Sequence, residues 1–365
     1  MTKVGKEEEI LFNLLRAGLW EKATDLSDLF PIAGDTWRAV LDMARRQTVT
    51  GLVYSGLQQL PSSQLPPEPM MLRWVAEADR IERANEQANH TCAQLCRHLA
   101  AQGLHPVIVK GQAIAQTYAL PLLREPGDID LCLADPAEFA AAETIAATLG
   151  ERSERQPDGS LSYTYQGIEI EHHRRLIDIY SPRAVARLRP LLSALQPVEV
   201  PLGSSADSVV MAPHPMLHLL VLNAHICKHA IGRGVGLRQL CDIARAYHRW
   251  HPLIDGDALQ ALYRRAGLTS WSRLLHAFLV RHLALPATAL PYPDRQVSSE
   301  PLLRIVARGG NFGQHRPGHP VASTATRRKI GTALSFIRQL GFSCRYAPAE
   351  SLWMTLQLAK GNTIG

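Results

Sequence analysis

Two aspartates that stand two positions apart are the most chemically suggestive feature of the chain. Asp128 and Asp130 lie in the segment DIDLCLAD (128–135), whose strict alternation is typical of a β-strand. Side chains two positions apart on a strand point to the same face, so the two carboxylates are neighbours. Neighbouring carboxylates repel each other unless water or a cation compensates them, and carboxylate oxygens suit Mg²⁺. The spacing predicts a candidate magnesium site, and the alternative is a solvated sheet face.

A third acid is available on a predicted β-hairpin. The segment SLSYTYQGIEIEHH (160–173) alternates on both sides of a Gln-Gly pair, which is typical of two strands joined by a two-residue turn. The polar residues that share the outward face of its second strand are Glu169, Glu171 and His173. If this strand lies beside residues 128–133, Glu171 comes close to Asp128 and Asp130. The two segments then form one cluster of carboxylates.

The residues upstream of the aspartates have the chemistry of a phosphate site. HPVIVK (105–110) predicts a short strand, and GQAIAQTYAL (111–120) has helical character. Gly111 at the junction lets backbone N–H groups approach a phosphate at a helix N-terminus, where the helix dipole favours anions. Arg124, four residues before Asp128, is placed to meet the same phosphates.

This order of motifs resembles the uncharacterised bacterial nucleotidyltransferase family, which belongs to the superfamily with a polymerase-β-like nucleotidyltransferase core. The resemblance covers roughly residues 10–300 and is strongest over 105–175, where VIVKGQAIAQTYALPLLREPGDIDLCL stands. Two positions depart from the common pattern: Gln112 replaces a small residue, and Glu171 replaces the more frequent Asp. The positions that match the family are Lys110, Gly111, Tyr118, Arg124, Asp128 and Asp130, followed by Glu171 and His173.

The resemblance implies the transfer of a nucleoside monophosphate from ATP or another NTP to a hydroxyl acceptor. Asp128, Asp130 and Glu171 are then the catalytic residues and the ligands of Mg²⁺ or Mn²⁺, and Glu171 also helps to deprotonate the acceptor. The acceptor class stays open among RNA, a protein or peptide, and a small molecule. The residues expected to bind the nucleotide are Lys110, Gly111, Gln112, Arg124, His173, His218 and His225.

Two other functions fit the same sequence. One is a catalytically silent relative that binds a nucleotide, RNA or a partner protein as a regulatory module. The other is the toxin of a toxin–antitoxin pair. Carboxylate geometry separates the first of these from an enzyme: three converging acids favour catalysis, whereas Glu171 turned away from Asp128 favours binding alone.

Four histidines fall on one stripe of a helix predicted after residue 213. They are His214, His218, His225 and His229. Three interpretations stay open for them: a zinc site, which needs three or four converging ligands, the lining of the substrate cleft, and polar packing. The family resemblance favours the cleft for His218 and His225.

A long basic stretch lies near the C-terminus. Lys and Arg number 39 against 33 Asp and Glu, a formal charge of +6, yet no acid occurs between Glu300 and Glu350. Such a segment predicts contact with RNA or with an acidic peptide or protein, and the alternative is a solvated basic surface. Its basic residues are Arg304, Arg308, Arg316, Arg327, Arg328, Lys329, Arg338 and Arg345.

The periodicities predict an α+β fold with a small mixed β-sheet between two helical regions. The expected parts are an N-terminal helical region (1–103), the nucleotidyltransferase α/β core (104–205) and a C-terminal helical domain with the basic stretch (206–365). The 365 residues include no charge-free apolar run of about 18, and no signal-peptide pattern. Six scattered cysteines without a C-x-x-C pair fit reduced, buried thiols. We therefore expect a cytoplasmic protein without a membrane partner.

Overall fold

The α+β class is confirmed by a computed structural model, which describes residues 5–156, 159–203, 208–232, 234–292, 296–309 and 339–359. A five-stranded mixed sheet is flanked by helices that come from both ends of the chain. No helix in these ranges combines the length and the hydrophobicity that a membrane span requires. Most of the basic stretch, residues 310–338, lies outside the described residues.

The N-terminal region consists of helices, as their apolar spacing predicts. The longest, α4, begins directly after the Pro-Pro pair of LPPEP, because proline is compatible with the first turn of a helix but not with its interior. It ends at Ala101, two residues before Gly103. The four helices are α1 (Lys6–Trp20), α2 (Gly34–Arg46), α3 (Thr50–Leu57) and α4 (Glu68–Ala101).

The central region alternates strands and helices. A separate two-stranded sheet follows it, formed by β6 and β7. Strand β3 has five exposed, mainly charged residues, and backbone pairing with β4 rather than an apolar face holds it in the sheet. The elements are β1 (Val107–Ile108), α5 (Gly111–Ala115), β2 (Ile129–Cys132), α6 (Pro136–Leu149), β3 (Glu151–Arg155), β4 (Leu161–Tyr165), β5 (Ile168–His173), α7 (Pro182–Leu192), β6 (Val198–Pro201) and β7 (Val209–Ala212).

The main sheet has the strand order β1-β2-β5-β4-β3. Strands β4 and β5 form the predicted hairpin, and its turn residues Gln166 and Gly167 both have positive φ, at 51° and 78°. Such a turn matches the twist of the flanking strands, and glycine adopts it without strain. Strands β2 and β5 are parallel neighbours, and their register sets Asp130 opposite Glu171. The sheet therefore joins the two acidic segments.

Two hydrophobic clusters hold these elements together. The smaller one packs the apolar face of the sheet against α4 and α6, with Leu131 and Ile170 from the strands and Phe139 from α6. The larger one combines helices from both ends of the chain, and Leu14 of α1 and Leu275 of the C-terminal region are both fully buried in it. The C-terminal helices are α8 (Pro215–Gly232), α9 (Leu237–Trp250), α10 (Gly256–Ala266), α11 (Thr269–Leu283), α12 (Glu300–Gly309), α13 (Leu340–Tyr346) and α14 (Pro348–Ala359).

Candidate active site

A cavity of about 300 Å³ lies where β2 and β5 face helices α8 and α9. Its walls carry both signs of charge, which is unlike a purely apolar ligand pocket. The charged and titratable residues of its lining include Lys110, Asp128, Asp130, Glu171, His225 and Arg238.

Asp130 is the centre of the polar network. The Lys110 Nζ atom lies 2.8 Å from Asp130 Oδ1, and the His173 Nε2 atom lies 2.6 Å from the same oxygen. Burial alone would raise the pKa of Asp130, but the Lys110 ammonium and the His173 ring hold it well below its usual range. The other oxygen, Oδ2, accepts no hydrogen bond from any described residue. Asp130 is therefore ionised and keeps one oxygen for a further ligand.

Asp128 precedes β2 by one residue and remains exposed within the cavity. The negative charge of Asp130, more than burial, raises the pKa of Asp128 to about 6. The raised pKa shows that Lys110 does not fully compensate the two aspartates. An added cation would stabilise the ionised pair.

Glu171 completes the group of acids. The Ser160 hydroxyl donates a hydrogen bond of 2.8 Å to Glu171 Oε1, while Glu171 Oε2 lies 3.7 Å from His173 Nε2. Asp130, Glu171 and His173 each offer a ligand atom, and these atoms lie within 4.8 Å of one another. Asp128 stands outside this group but lines the same cavity. Carboxylate oxygens are the donors that Mg²⁺ and Mn²⁺ prefer, so the residues present fit such an ion.

The Lys-Gly turn brings Lys110 onto the aspartates. Gly111 has a φ of +47°, and a Cβ atom there would lie 3.3 Å from the carbonyl oxygen of Asp128. Glycine thus permits both the backbone conformation and the close approach to the start of β2. Burial lowers the pKa of Lys110, but the surrounding carboxylates, Asp130 first, outweigh burial and raise it. Lys110 is therefore a charged ammonium inside the cavity.

Arg124 is held by Asp242, a residue outside the motifs found in the sequence. Its guanidinium makes two hydrogen bonds to Asp242 of α9, of 2.9 and 2.8 Å, and the Tyr118 hydroxyl donates to Asp242 over 2.8 Å. All three side chains are buried. This bidentate pair fastens the segment before β2 to α9. Arg124 also lines the cavity, and its contact with phosphate stays a prediction.

Two residues expected at the nucleotide are not brought to the cavity wall. The Gln112 amide donates to Asn89 of α4 over 2.6 Å, so its side chain packs behind the turn. The His218 Nε2 atom lies 2.8 Å from the carbonyl oxygen of Val109 in a fully buried position. Both side chains support the Lys-Gly segment from behind, and a direct role for them at the nucleotide stays a prediction.

The histidine stripe divides along α8. His225 and His229 line the cavity and contact each other edge to face, with ring centroids 4.4 Å apart. His214 precedes the helix, and its Nδ1 atom accepts the backbone N–H of Met216 over 3.3 Å. In the described ranges these histidines do not gather into a group of metal ligands; the one such group is that of Asp130, Glu171 and His173.

Comparison with known proteins gives one result. Residues 33–283 match a family described as uncharacterised nucleotidyltransferase. The chain belongs to this nucleotidyltransferase family. No curated protein and no solved structure matches it. The matched span includes the Lys-Gly turn, the two aspartates, the hairpin with Glu171 and both cavity-lining helices, so the resemblance seen in the sequence is confirmed for the family.

The structure adds cavity residues that the sequence did not indicate. Arg238 of α9 donates to the carbonyl oxygens of Glu125 and Pro126, over 3.2 and 2.9 Å, and forms no ion pair with a described carboxylate. Arg238 lines the cavity, where Asp242, Asp128 and Glu125 attract its charge only through space. Asp178, on the segment after β5, contacts His225 and Lys228 of α8. No local motif marks these residues, because they meet only through the packing of α8 and α9 on the sheet.

Proposed function

We propose that this protein is a Mg²⁺-dependent nucleotidyltransferase that moves a nucleoside monophosphate from ATP or another NTP to a hydroxyl acceptor. The convergence of Asp130 and Glu171 across the β2–β5 register, with Asp128 in the same cavity, carries this proposal. Glu171 is not turned away, which favours an enzyme over a silent binding module. Family membership supports the type of reaction.

The proposed roles follow from charge and position. Asp128, Asp130 and Glu171 would hold Mg²⁺ or Mn²⁺, which would stabilise negative charge on the attacking and leaving oxygens. Lys110 and Arg238 place positive charge beside the carboxylates and favour a triphosphate there. Because Arg238 has no carboxylate partner in the described residues, it loses no ion pair when it binds a phosphate.

The experiment uses cell extract as the source of acceptor. Purified protein, Mg²⁺ and each α-³²P-labelled NTP are incubated with extract, and the labelled fraction is identified as RNA, protein or small molecule. Asp128→Asn should abolish labelling, because it removes a cation ligand while leaving the Lys110–Asp130 pair. Glu169→Gln is the matched control, an exposed acid of the same cavity and strand face. Labelling that survives Asp128→Asn would contradict the proposed metal site.

We also propose that the basic stretch from Arg304 to Arg345 contacts the acceptor, which is then RNA or an acidic protein. A second proposal is that the reaction takes place in the cytoplasm. The absence of any acid between Glu300 and Glu350 supports the first proposal. Changing Arg327, Arg328 and Lys329 to Ala should raise the KM for the acceptor and leave that for the nucleotide nearly unchanged. Salt should weaken acceptor binding first, because exposed charges are screened over about 10 Å at 0.1 M. Unchanged constants would make the stretch a solvated surface.

A further inference from the structure

A second cluster of titratable residues lines the cavity beside the carboxylates. The Asp178 Oδ2 atom lies 2.9 Å from Nδ1 of His225, and Lys228 Nζ lies 3.2 Å from the other carboxylate oxygen. His225 and Lys228 are three residues apart on α8, so one face of this helix presents both to Asp178. Asp178 itself comes from the segment between β5 and α7. Its contacts connect the sheet to the helix at the cavity wall.

The contact with Asp178 fixes the tautomer of His225. Burial raises the pKa of Asp178, but Lys228 and then His225 hold it well below its usual range, so Asp178 is an ionised acceptor. The proton of the neutral imidazole therefore lies on Nδ1, which donates to Asp178, and Nε2 carries a lone pair. No described residue hydrogen-bonds to this Nε2 atom, and the ring lines the cavity.

The charges around His225 keep it neutral. Burial first, then Lys110, lower its pKa to about 4, and Asp178 only partly offsets them. Lys228 disfavours the charged ring as well, and the neighbouring His229 is itself held well below its ordinary pKa by burial. His225 is thus in its proton-accepting form at neutral pH, before any anionic substrate enters.

Three other bases of the cavity are already engaged. Asp130 accepts from Lys110 and His173, Asp242 accepts from Arg124, and Glu171 accepts from Ser160. With Asp128, Asp130 and Glu171 assigned to the metal, His225 offers a lone pair that neither a protein donor nor the proposed cation occupies.

We infer that His225, oriented by Asp178, is the general base that takes the proton of the acceptor hydroxyl. The inference rests on the proposed nucleotidyl transfer and assigns deprotonation to His225 instead of Glu171. The acceptor oxygen forms a bond to the α-phosphorus of the NTP, and the bond from that phosphorus to the bridging oxygen breaks. The electron pair leaves with pyrophosphate, and the hydroxyl proton moves to Nε2. The resulting imidazolium stays hydrogen-bonded to Asp178, which stabilises its charge.

Chemical rescue tests this role directly. The assay measures transfer of α-³²P label from the NTP to the extract fraction that the wild type labels. His225→Ala should slow this transfer by about 10²–10⁴-fold, the usual contribution of a general base. Added imidazole should restore part of the rate, and more basic imidazoles should restore more. The affinity for the Mg²⁺–NTP complex should change by less than about threefold, because the base acts on the acceptor. His229→Ala, on the same wall and helix, is the control and should show no imidazole rescue.

Two further variants separate a base from a packing residue. His225→Gln retains a donor toward Asp178 without a basic nitrogen, and it should fold like the wild type while losing the same activity. Asp178→Asn should lower kcat more than it changes KM for the nucleotide. Transfer within about threefold of wild type in His225→Gln would overturn the inference. A slow His225→Ala variant that binds nucleotide normally but gains nothing from imidazole would overturn it too. If the wild type labels nothing, the proposed function itself fails.

Discussion

Asp128 and Asp130 should respond to the same substitution with opposite changes in stability. Asp130→Asn leaves the Lys110 ammonium and His173 without their shared carboxylate in a site where all three side chains are at most 15% exposed. Removal of one partner of a buried ion pair costs about 3–5 kcal/mol. The asparagine oxygen still accepts one hydrogen bond, so we expect a loss near the lower limit, about 3 kcal/mol in the free energy of unfolding.

Asp128→Asn should hold or raise the free energy of unfolding. The pKa of Asp128 rises from 3.8 to about 6, a difference that would correspond to about 3 kcal/mol at about 1.4 kcal/mol per unit if the group were fully buried. Because Asp128 is exposed, solvent screening reduces the gain to about 1 kcal/mol or less. A raised pKa means that the ionised form destabilises the fold. The gain from Asn is therefore largest above pH 6 and disappears as the pH falls below about 4.

Urea unfolding in metal-free buffer measures both changes. The two variants and the wild type are compared at pH 7.5 and pH 5, with Glu169→Gln as an exposed control that should change little. At pH 7.5 Asp130→Asn should be the least stable protein and Asp128→Asn at least as stable as wild type, and the advantage of Asp128→Asn should shrink at pH 5. A clear loss of stability in Asp128→Asn, or none in Asp130→Asn, would refute the charge arrangement described for the cavity.

Three other predictions concern the site and its support. Asp242→Asn removes the bidentate partner of the buried Arg124 and should lower the free energy of unfolding by about 3–5 kcal/mol, as denaturant unfolding would show. Tyr118→Phe should lower it by about 1 kcal/mol. Equal small losses in the two variants would contradict the Arg124–Asp242 pair. Glu171→Gln should be inactive and Glu169→Gln active in the labelling assay. The reverse result would make Glu169, and not Glu171, the metal ligand. Mg²⁺ at about 100 times its Kd should stabilise the wild type by about 2.7 kcal/mol and Asp128→Asn by much less, as thermal unfolding would show; equal stabilisation would exclude Asp128 as a ligand.

The positions of the elements could be predicted where local rules decide them. The alternation around the Gln-Gly pair predicts the β4–β5 hairpin, and the two positive φ angles at the turn confirm it. Helix α4 begins at Glu68, directly after the Pro-Pro pair, as the compatibility of proline with a first helical turn allows. Strand periodicity predicts a shared face for Asp128 and Asp130; β2 begins only at Ile129, and both aspartates line the cavity. No local pattern indicates strand β3, because its five residues are exposed and lack apolar alternation.

The partners of the site residues could not be predicted in the same way. Asp242 and Asp178 are each one acid among many in the sequence, and their roles depend on how α9 and α8 pack against the sheet. The same packing turns Gln112 and His218 away from the cavity although both lie near the motif. Sequence periodicity specifies which face of a helix is buried, but it does not specify which distant polar group that face meets.

The most direct test of nucleotidyl transfer follows both ends of one NTP. The wild-type protein is incubated with Mg²⁺, cell extract and ATP that carries ³²P at either the α- or the γ-phosphate, and the products are separated; the other NTPs follow in the same way. We predict that α-label appears in an acceptor and that γ-label appears only in pyrophosphate. Asp128→Asn should neither transfer the α-label nor release labelled pyrophosphate. Transfer of γ-label to the acceptor, or tight NTP binding without any transfer, would contradict nucleotidyl transfer by this cavity.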